Sequence, residues 1–204
     1  MKVTVDQIKS LAPNVRTSYL EALKSADEVL NGFAINHTPL RLAHFMAQIL
    51  HETGGFTIFT ENMNYSAERM MVVWPSRFKT LADAALFAHN PKALANKVYN
   101  GRMGNRVGTD DGFNFIGHGF MQLTGREAYK KYGEKLGIDL VGDSSLALDP
   151  RYSLRIAAAE WSASGCNAFA DNDDLNRVTR AINGGLTGLA SRREWLRKTK
   201  AVWH

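Results

Sequence analysis

The chain has 204 residues, 45% apolar and 22% charged, with a net charge of +5 and an isoelectric point near 9.4. That is enough chain for one compact domain with a real core, and the balance of residues excludes global disorder. A single cysteine, Cys166, excludes an intramolecular disulfide and a cysteine-based zinc site.

No stretch approaches the roughly 20 apolar residues of a membrane span, and the N-terminus has no continuous apolar run of the secretory type. Both features, with the lone cysteine, suit a protein made and folded in a reducing cytoplasm. The positive charge favours polyanionic surroundings, nucleic acid or anionic envelope polymers. No zinc-finger, RNP-type or helix-turn-helix signature accompanies it, so nucleic acid is not the expected partner.

Taken in order, the patterns are helical. Thr4 and Asp6 suit the start of a first helix that stops at Pro13. Residues 15–33 place Tyr19, Leu20, Leu23, Ala26 and Leu30 on one face and reach a natural stop at Gly32. Pro39 opens the next helix, where its ring is tolerated, and Leu42, Phe45, Met46, Ile49 and Leu50 form a core-facing stripe. Further helical patterns cover 66–73, 80–88, 91–98, 125–136, 153–164 and 173–182, and a basic amphipathic helix holding "SRREWLRKTK" closes the chain. Tyr99–Phe120 breaks the series. Its six glycines in 22 residues read as a long irregular loop with room for short strands, and such loops tend to be functional. The expected organisation is a single domain over 1–204. Pro75 and the Gly-rich loop frame a small inserted lobe at about 66–112, within a larger lobe of about 1–65 and 113–204.

The stretch "AQILHETGGFTIFTEN" ends an apolar helix in His51-Glu52, turns through Gly54-Gly55 and presents Glu61 nine positions after Glu52. Two such glutamates suit solvated surface charge, metal ligands or an acid/base pair. "HETGG" lacks the second histidine of HExxH, and His44 and His51 stand two helical turns apart, about 10 Å, so no metal is expected. There is no GxSxG, and Cys166 reads as a small buried residue. Glycoside hydrolysis needs one protonated and one ionised carboxyl across the scissile bond. Burial at the end of an apolar helix would raise the pKa of Glu52, as an acid requires. The polar neighbours Thr60, Asn62 and Asn64 would keep Glu61 ionised. The spacing permits this pair without singling it out.

Several motifs, in order from about residue 40 to 196, carry a resemblance. They are "LAHFMAQILHETGGF", "TENMNYSAERM", "WPSRF", "VYNGRMGN", "GHGFMQLTGREAY" and "VTRAINGGLTGLASRREWL". Together they resemble glycoside hydrolase family 19, the plant class I chitinase type, and in particular its bacterial and phage branch of endolysins. The resemblance implies a mainly α, lysozyme-like, two-lobed fold with a cleft between lobes, and inversion at the anomeric carbon without a cofactor. By position it makes Glu52 the general acid, Glu61 the base, and Thr124 the hydroxyl that helps hold the attacking water. Gln122 and Asn183 match residues lining the sugar cleft. Arg192 matches an arginine steadying the carboxylates, with Arg193 beside it an alternative by one place. Tyr65 is a candidate for stacking on sugar.

Structural readings stand beside these. Thr124 suits a helix cap, Asn183 a turn before Gly184-Gly185, Gln122 a core hydrogen-bonder, and Tyr65 a core aromatic. Glu68 competes with Glu61 for the base and fits a surface position. Where the family pattern has Gly-Arg-Gly this chain has Gly117-His118-Gly119, which suggests a site sensitive to pH near neutrality.

The expected function is that of a phage or prophage endolysin cutting the β-1,4 glycan strands of peptidoglycan. It would act as a monomer, made in the host cytoplasm without a signal, drawn to the anionic envelope and admitted to the wall by a holin. The alternatives are a bacterial chitinase and a non-catalytic, basic glycan-binding or envelope-disrupting module.

Overall fold

The computed structural model describes residues 1–204 and is mainly α, with thirteen α-helices, two short 3₁₀ turns and no sheet. The chain begins with α1 (Val5–Leu11), α2 (Thr17–Lys24), α3 (Ala26–Gly32) and α4 (Pro39–Glu52). It continues through α5 (Ala67–Val73), α6 (Leu81–Ala85), α7 (Pro91–Tyr99), α8 (Asp111–Asn114) and α9 (Arg126–Leu136). It closes with α10 (Pro150–Ala163), α11 (Cys166–Asp171), α12 (Leu175–Asn183) and α13 (Leu189–Val202). Two compact units result. One comprises Met1–Phe59, Gly119–Gln122 and Ser145–His204, and the other Thr60–His118 and Leu123–Ser144.

The first unit is built around α4. Thr38 caps it by accepting from the Arg41 N–H, and Pro39 fills the first turn, where no intrahelical donor is needed. Every residue from Leu42 to Leu50 is buried, a wider face than the apolar stripe alone. Leu42, Phe45, Met46, Ile49 and Leu50 enter the main core with Trp161, whose ring meets Phe45 edge-on at 5.5 Å. On the other side, Ala43 and Ala47 are small enough to admit Leu175 and Leu196. Each large side chain so buried contributes about 1.5–3 kcal/mol. Thr199 fixes α13 on this face, its hydroxyl donating to the Ala43 carbonyl at 2.9 Å.

The stretch read as one helix over 15–33 is two, because the backbone at Ser25 departs from helical values (φ −104°, ψ 20°). Tyr19, Leu20, Leu23, Ala26 and Leu30 are all buried nonetheless. Cys166 lies fully buried at the start of α11, and burial pushes its thiol up to about 12.

The second unit has its own core, in which Met63, Met70, Phe78, Leu94, Val98 and Ile116 meet. Its Gly-rich segment forms no strands. It holds the single turn α8, and isolated antiparallel bridges join His118 to Thr60 and to Leu123. Pairing stops there because Gly101, Gly104, Gly108 and Gly119 all take left-handed φ, which bends the chain away from an extended ladder.

Candidate active site

Glu52 is the last residue of α4 and half-buried. Its Oε1 accepts from Arg192 Nη2 at 2.5 Å, while Arg192 Nη1 donates to Gln48 Oε1, also at 2.5 Å. Arg192 and Gln48 are both buried. Gln48 and Glu52 are one turn apart on α4, so one guanidinium fork grips two successive rungs of the helix. The choice between Arg192 and Arg193 falls to geometry. Arg193 is exposed and lines a separate polar recess with Asp173, Asp174 and Asn176.

Next to Glu52, His51 Nδ1 lies 2.9 Å from Ser191 Oγ. Burial, then the neighbouring charge of Arg192, lowers the pKa of His51, and Glu52 opposes them. His51 is packed against Gly188, the residue that starts α13 with φ 75°. A Cβ there would stand 2.6 Å from His51 Nε2, so only glycine suits this approach.

In the same unit, Gln122 has a left-handed backbone (φ 54°), and its side-chain amide donates to the Gly119 carbonyl at 3.0 Å. Asn183 ends α12, exposed, directly before the left-handed C-cap Gly184. His44, the other helix histidine, is fully buried and pairs through Nε2 with Asp173 Oδ1 at 2.8 Å.

Glu61 belongs to the second unit. Its carboxylate has two donors: Tyr99 Oη reaches Oε1 at 2.6 Å and the Gly117 N–H reaches Oε2 at 3.1 Å. Its own N–H donates to the Gly117 carbonyl at 2.8 Å, so main chain and side chain are both tied to one residue. These two bonds hold the carboxyl from both of its oxygens. Burial, then the charge of Glu61, raises the pKa of Tyr99, which stays a protonated donor. Beside Glu61 lies a cavity of about 340 Å³ with Met63, Pro91, Phe113 and Ile116 as apolar wall and Asn62, Asn64 and Asn114 among its polar groups.

Thr124 is half-buried and stands one residue before α9. It is not the cap: Gly125 holds that position with φ 87° and no side-chain bond. A Cβ at Gly125 would lie 2.5 Å from that of Met103, so glycine is required there too. Tyr65 is half-buried against the second core, its ring edge-on to Trp74 at 5.1 Å. Glu68 is fully exposed in the first turn of α5, where its own N–H and then the Ser66 hydroxyl lower its pKa.

His118 corrects an expectation. Burial drives its pKa down to about 4, so it is neutral near pH 7 and supplies no charge switch there. Its Nδ1 lies 2.8 Å from Tyr129 Oη, whose single O–H donates to the Ile116 carbonyl at 3.0 Å.

Gln48 and Tyr99 were not singled out from the sequence. Gln48 left a usable trace, a polar residue one turn before Glu52 and flanked by Ala47 and Ile49. Tyr99 left none near Glu61, from which it is 38 positions away.

A Haemophilus influenzae protein named as a glycosyl hydrolase family 19 domain-containing protein is 33% identical over 154 residues, 75% of each chain. The chain belongs to glycosyl hydrolase family 19. No family model matches it. Among solved structures, chitinase C from Streptomyces griseus superposes with a TM-score of 0.69 at 20% identity, covering 98% of this chain and 92% of the other. A bacterial family 19 chitinase gives 0.67 at 20% identity, covering 98% and 94%. The class IV chitinase of Zea mays gives 0.62 at 19%, covering 98% and 90%. The fold of this family 19 glycoside hydrolase is therefore the mainly α, lysozyme-like one.

Proposed function

We propose that this family 19 glycoside hydrolase is a phage or prophage endolysin that cuts β-1,4 bonds of peptidoglycan glycan strands with inversion. The observation that carries the chemistry is the unlike setting of the two carboxyls. Glu61 has a neutral donor on each oxygen, which fixes in place the carboxyl that would draw a proton from water. Glu52 has one oxygen held by the Arg192 guanidinium, which leaves Oε2 as the atom to face the leaving oxygen in the role of acid. In this reading Thr124 helps to orient the water, while Gln122, Asn183 and Tyr65 contact sugar.

The net charge of +5 favours peptidoglycan, an anionic wall polymer, over neutral chitin. A monomer working without metal or cofactor, made in the host cytoplasm and released to the wall by a holin, completes the proposal. Chitin hydrolysis is the second reading, favoured by the solved chitinases that share the fold.

The test is digestion of purified peptidoglycan and of colloidal chitin, with mass spectrometry of the products. New reducing ends on muropeptides, no 1,6-anhydro ends and slow chitin turnover are expected. Mainly anhydro ends would identify a transglycosylase, cleavage confined to peptide cross-links would remove the glycosidase reading of this substrate, and chitin-only activity would favour the second reading.

A further inference from the structure

We propose that Tyr99 is a positioning residue for the general base, and that the Gly-rich loop after α7 is the frame that holds it. The inference rests on the reading of Glu61 as base. Tyr99 Oη stands 2.6 Å from Glu61 Oε1, within the range of a strong charge-assisted O–H···O⁻ bond. With the Gly117 N–H on the other oxygen, it fixes the plane of the carboxylate from both ends.

Two of the loop's bonds end on the tyrosine's backbone, and the others brace the loop around it. The Tyr99 carbonyl accepts from the Arg102 N–H at 3.2 Å and from Asn105 Nδ2 at 3.1 Å. Asn105, itself buried, takes the Arg126 N–H on its Oδ1 at 2.8 Å, which ties the loop to the start of α9. Beside it, Asn100 Nδ2 donates to the Thr109 carbonyl and Asn100 Oδ1 accepts from the Gly112 N–H, at 2.8 and 2.7 Å. Gly112 has no room for a side chain, since a Cβ would lie 2.8 Å from the Ala95 carbonyl oxygen. Asp111 is gripped by the backbone N–H and guanidinium of Arg106, whose hydrogen bonds bring its pKa down to about 2. A loop with this many internal partners is a rigid mount, and Tyr99 is the side chain it delivers to Glu61.

Tyr99→Phe removes one oxygen and keeps the ring, so it separates positioning from packing. With soluble un-cross-linked glycan strands as substrate, and chitohexaose alongside, kcat falls about 10–100-fold while KM stays within about twofold. The thermal midpoint should hardly move. Asn105→Ala, which loosens the mount without touching Glu61, should give a smaller loss of the same kind, in kcat and not in KM. An unchanged kcat in Tyr99→Phe overturns the proposal, and so does a loss confined to KM, which would make Tyr99 a sugar contact. Glu61→Gln, measured in parallel, separates the two layers. If it is inactive while Tyr99→Phe is fully active, only the positioning role falls. If Glu61→Gln is fully active, the base assignment falls and takes this proposal with it.

Discussion

Arg192 Nη2 stands 2.5 Å from Glu52 Oε1, a buried cation against a carboxylate with 18% of its side chain exposed. Gln48 holds the guanidinium's other arm as a neutral acceptor, so Glu52 is the one carboxyl on this fork. Glu52→Gln keeps an acceptor for Arg192 and removes the transferable proton. It should therefore fold, with a lytic rate lower by about 10²–10⁴-fold. Wild-type lysis by folded Glu52→Gln would refute the acid assignment. Arg192→Ala should instead lower both activity and stability, the latter by about 3 kcal/mol, because it strands a partly buried carboxylate and a buried amide. Urea denaturation of the two variants distinguishes these outcomes.

His118 gives a stability that depends on pH. Its folded pKa, about 4, lies below the unfolded value near 6.5, because burial penalises the imidazolium. The unfolded chain thus binds more protons between these limits. Stability is full above about pH 6.5 and declines as pH falls toward 4, by on the order of 2–3 kcal/mol. His118→Gln should flatten that part of the curve. Urea midpoints from pH 4 to 8 for both proteins test this, and parallel curves would remove His118 as the cause.

Gly188 is a backbone requirement set by the site. Its φ of 75° and the 2.6 Å approach of His51 Nε2 leave no space for a methyl group. Gly188→Ala should cost about 1–3 kcal/mol through strain and displacement of His51. As α13 also carries Arg192, activity should fall with it. Thermal unfolding with an activity assay is sufficient, and unchanged values in both would show that α13 adjusts freely.

The helices were legible because apolar periodicity and capping are local. Thr4 and Pro39 mark starts in the sequence as they do in space. The break at Ser25 was not, since its flanking apolar residues keep one helical phase across it and only the backbone shows the kink. Likewise Ala43 and Ala47 look like helix-favouring filler until Leu175 and Leu196 pack over them. The motifs singled out Glu52, Glu61 and Arg192 as candidates, but gave no sign of the groups that hold them. His118 was misread for the same reason. An imidazole's charge at neutral pH depends on burial, which no neighbouring letter encodes.

The last prediction concerns the base and its competitor. Glu61 is half-buried with Tyr99 Oη and the Gly117 N–H on its two oxygens. Glu68 is fully exposed, and its carboxyl is satisfied by its own N–H and Ser66 at the start of α5. A general base needs a fixed position against its water, and an exposed first-turn glutamate supplies a helix terminus instead. Glu61→Gln should therefore be severe, with a loss of about 10²-fold or more, whereas Glu68→Gln should stay close to wild type. Thr124 does not cap α9, since Gly125 takes that position, so Thr124→Ala should leave the start of that helix in place. Its effect should appear as lower turnover with affinity for glycan retained. Lytic rate, glycan affinity and circular dichroism on all three variants decide the matter. A folded but inactive Glu68→Gln beside an active Glu61→Gln would transfer the base to Glu68.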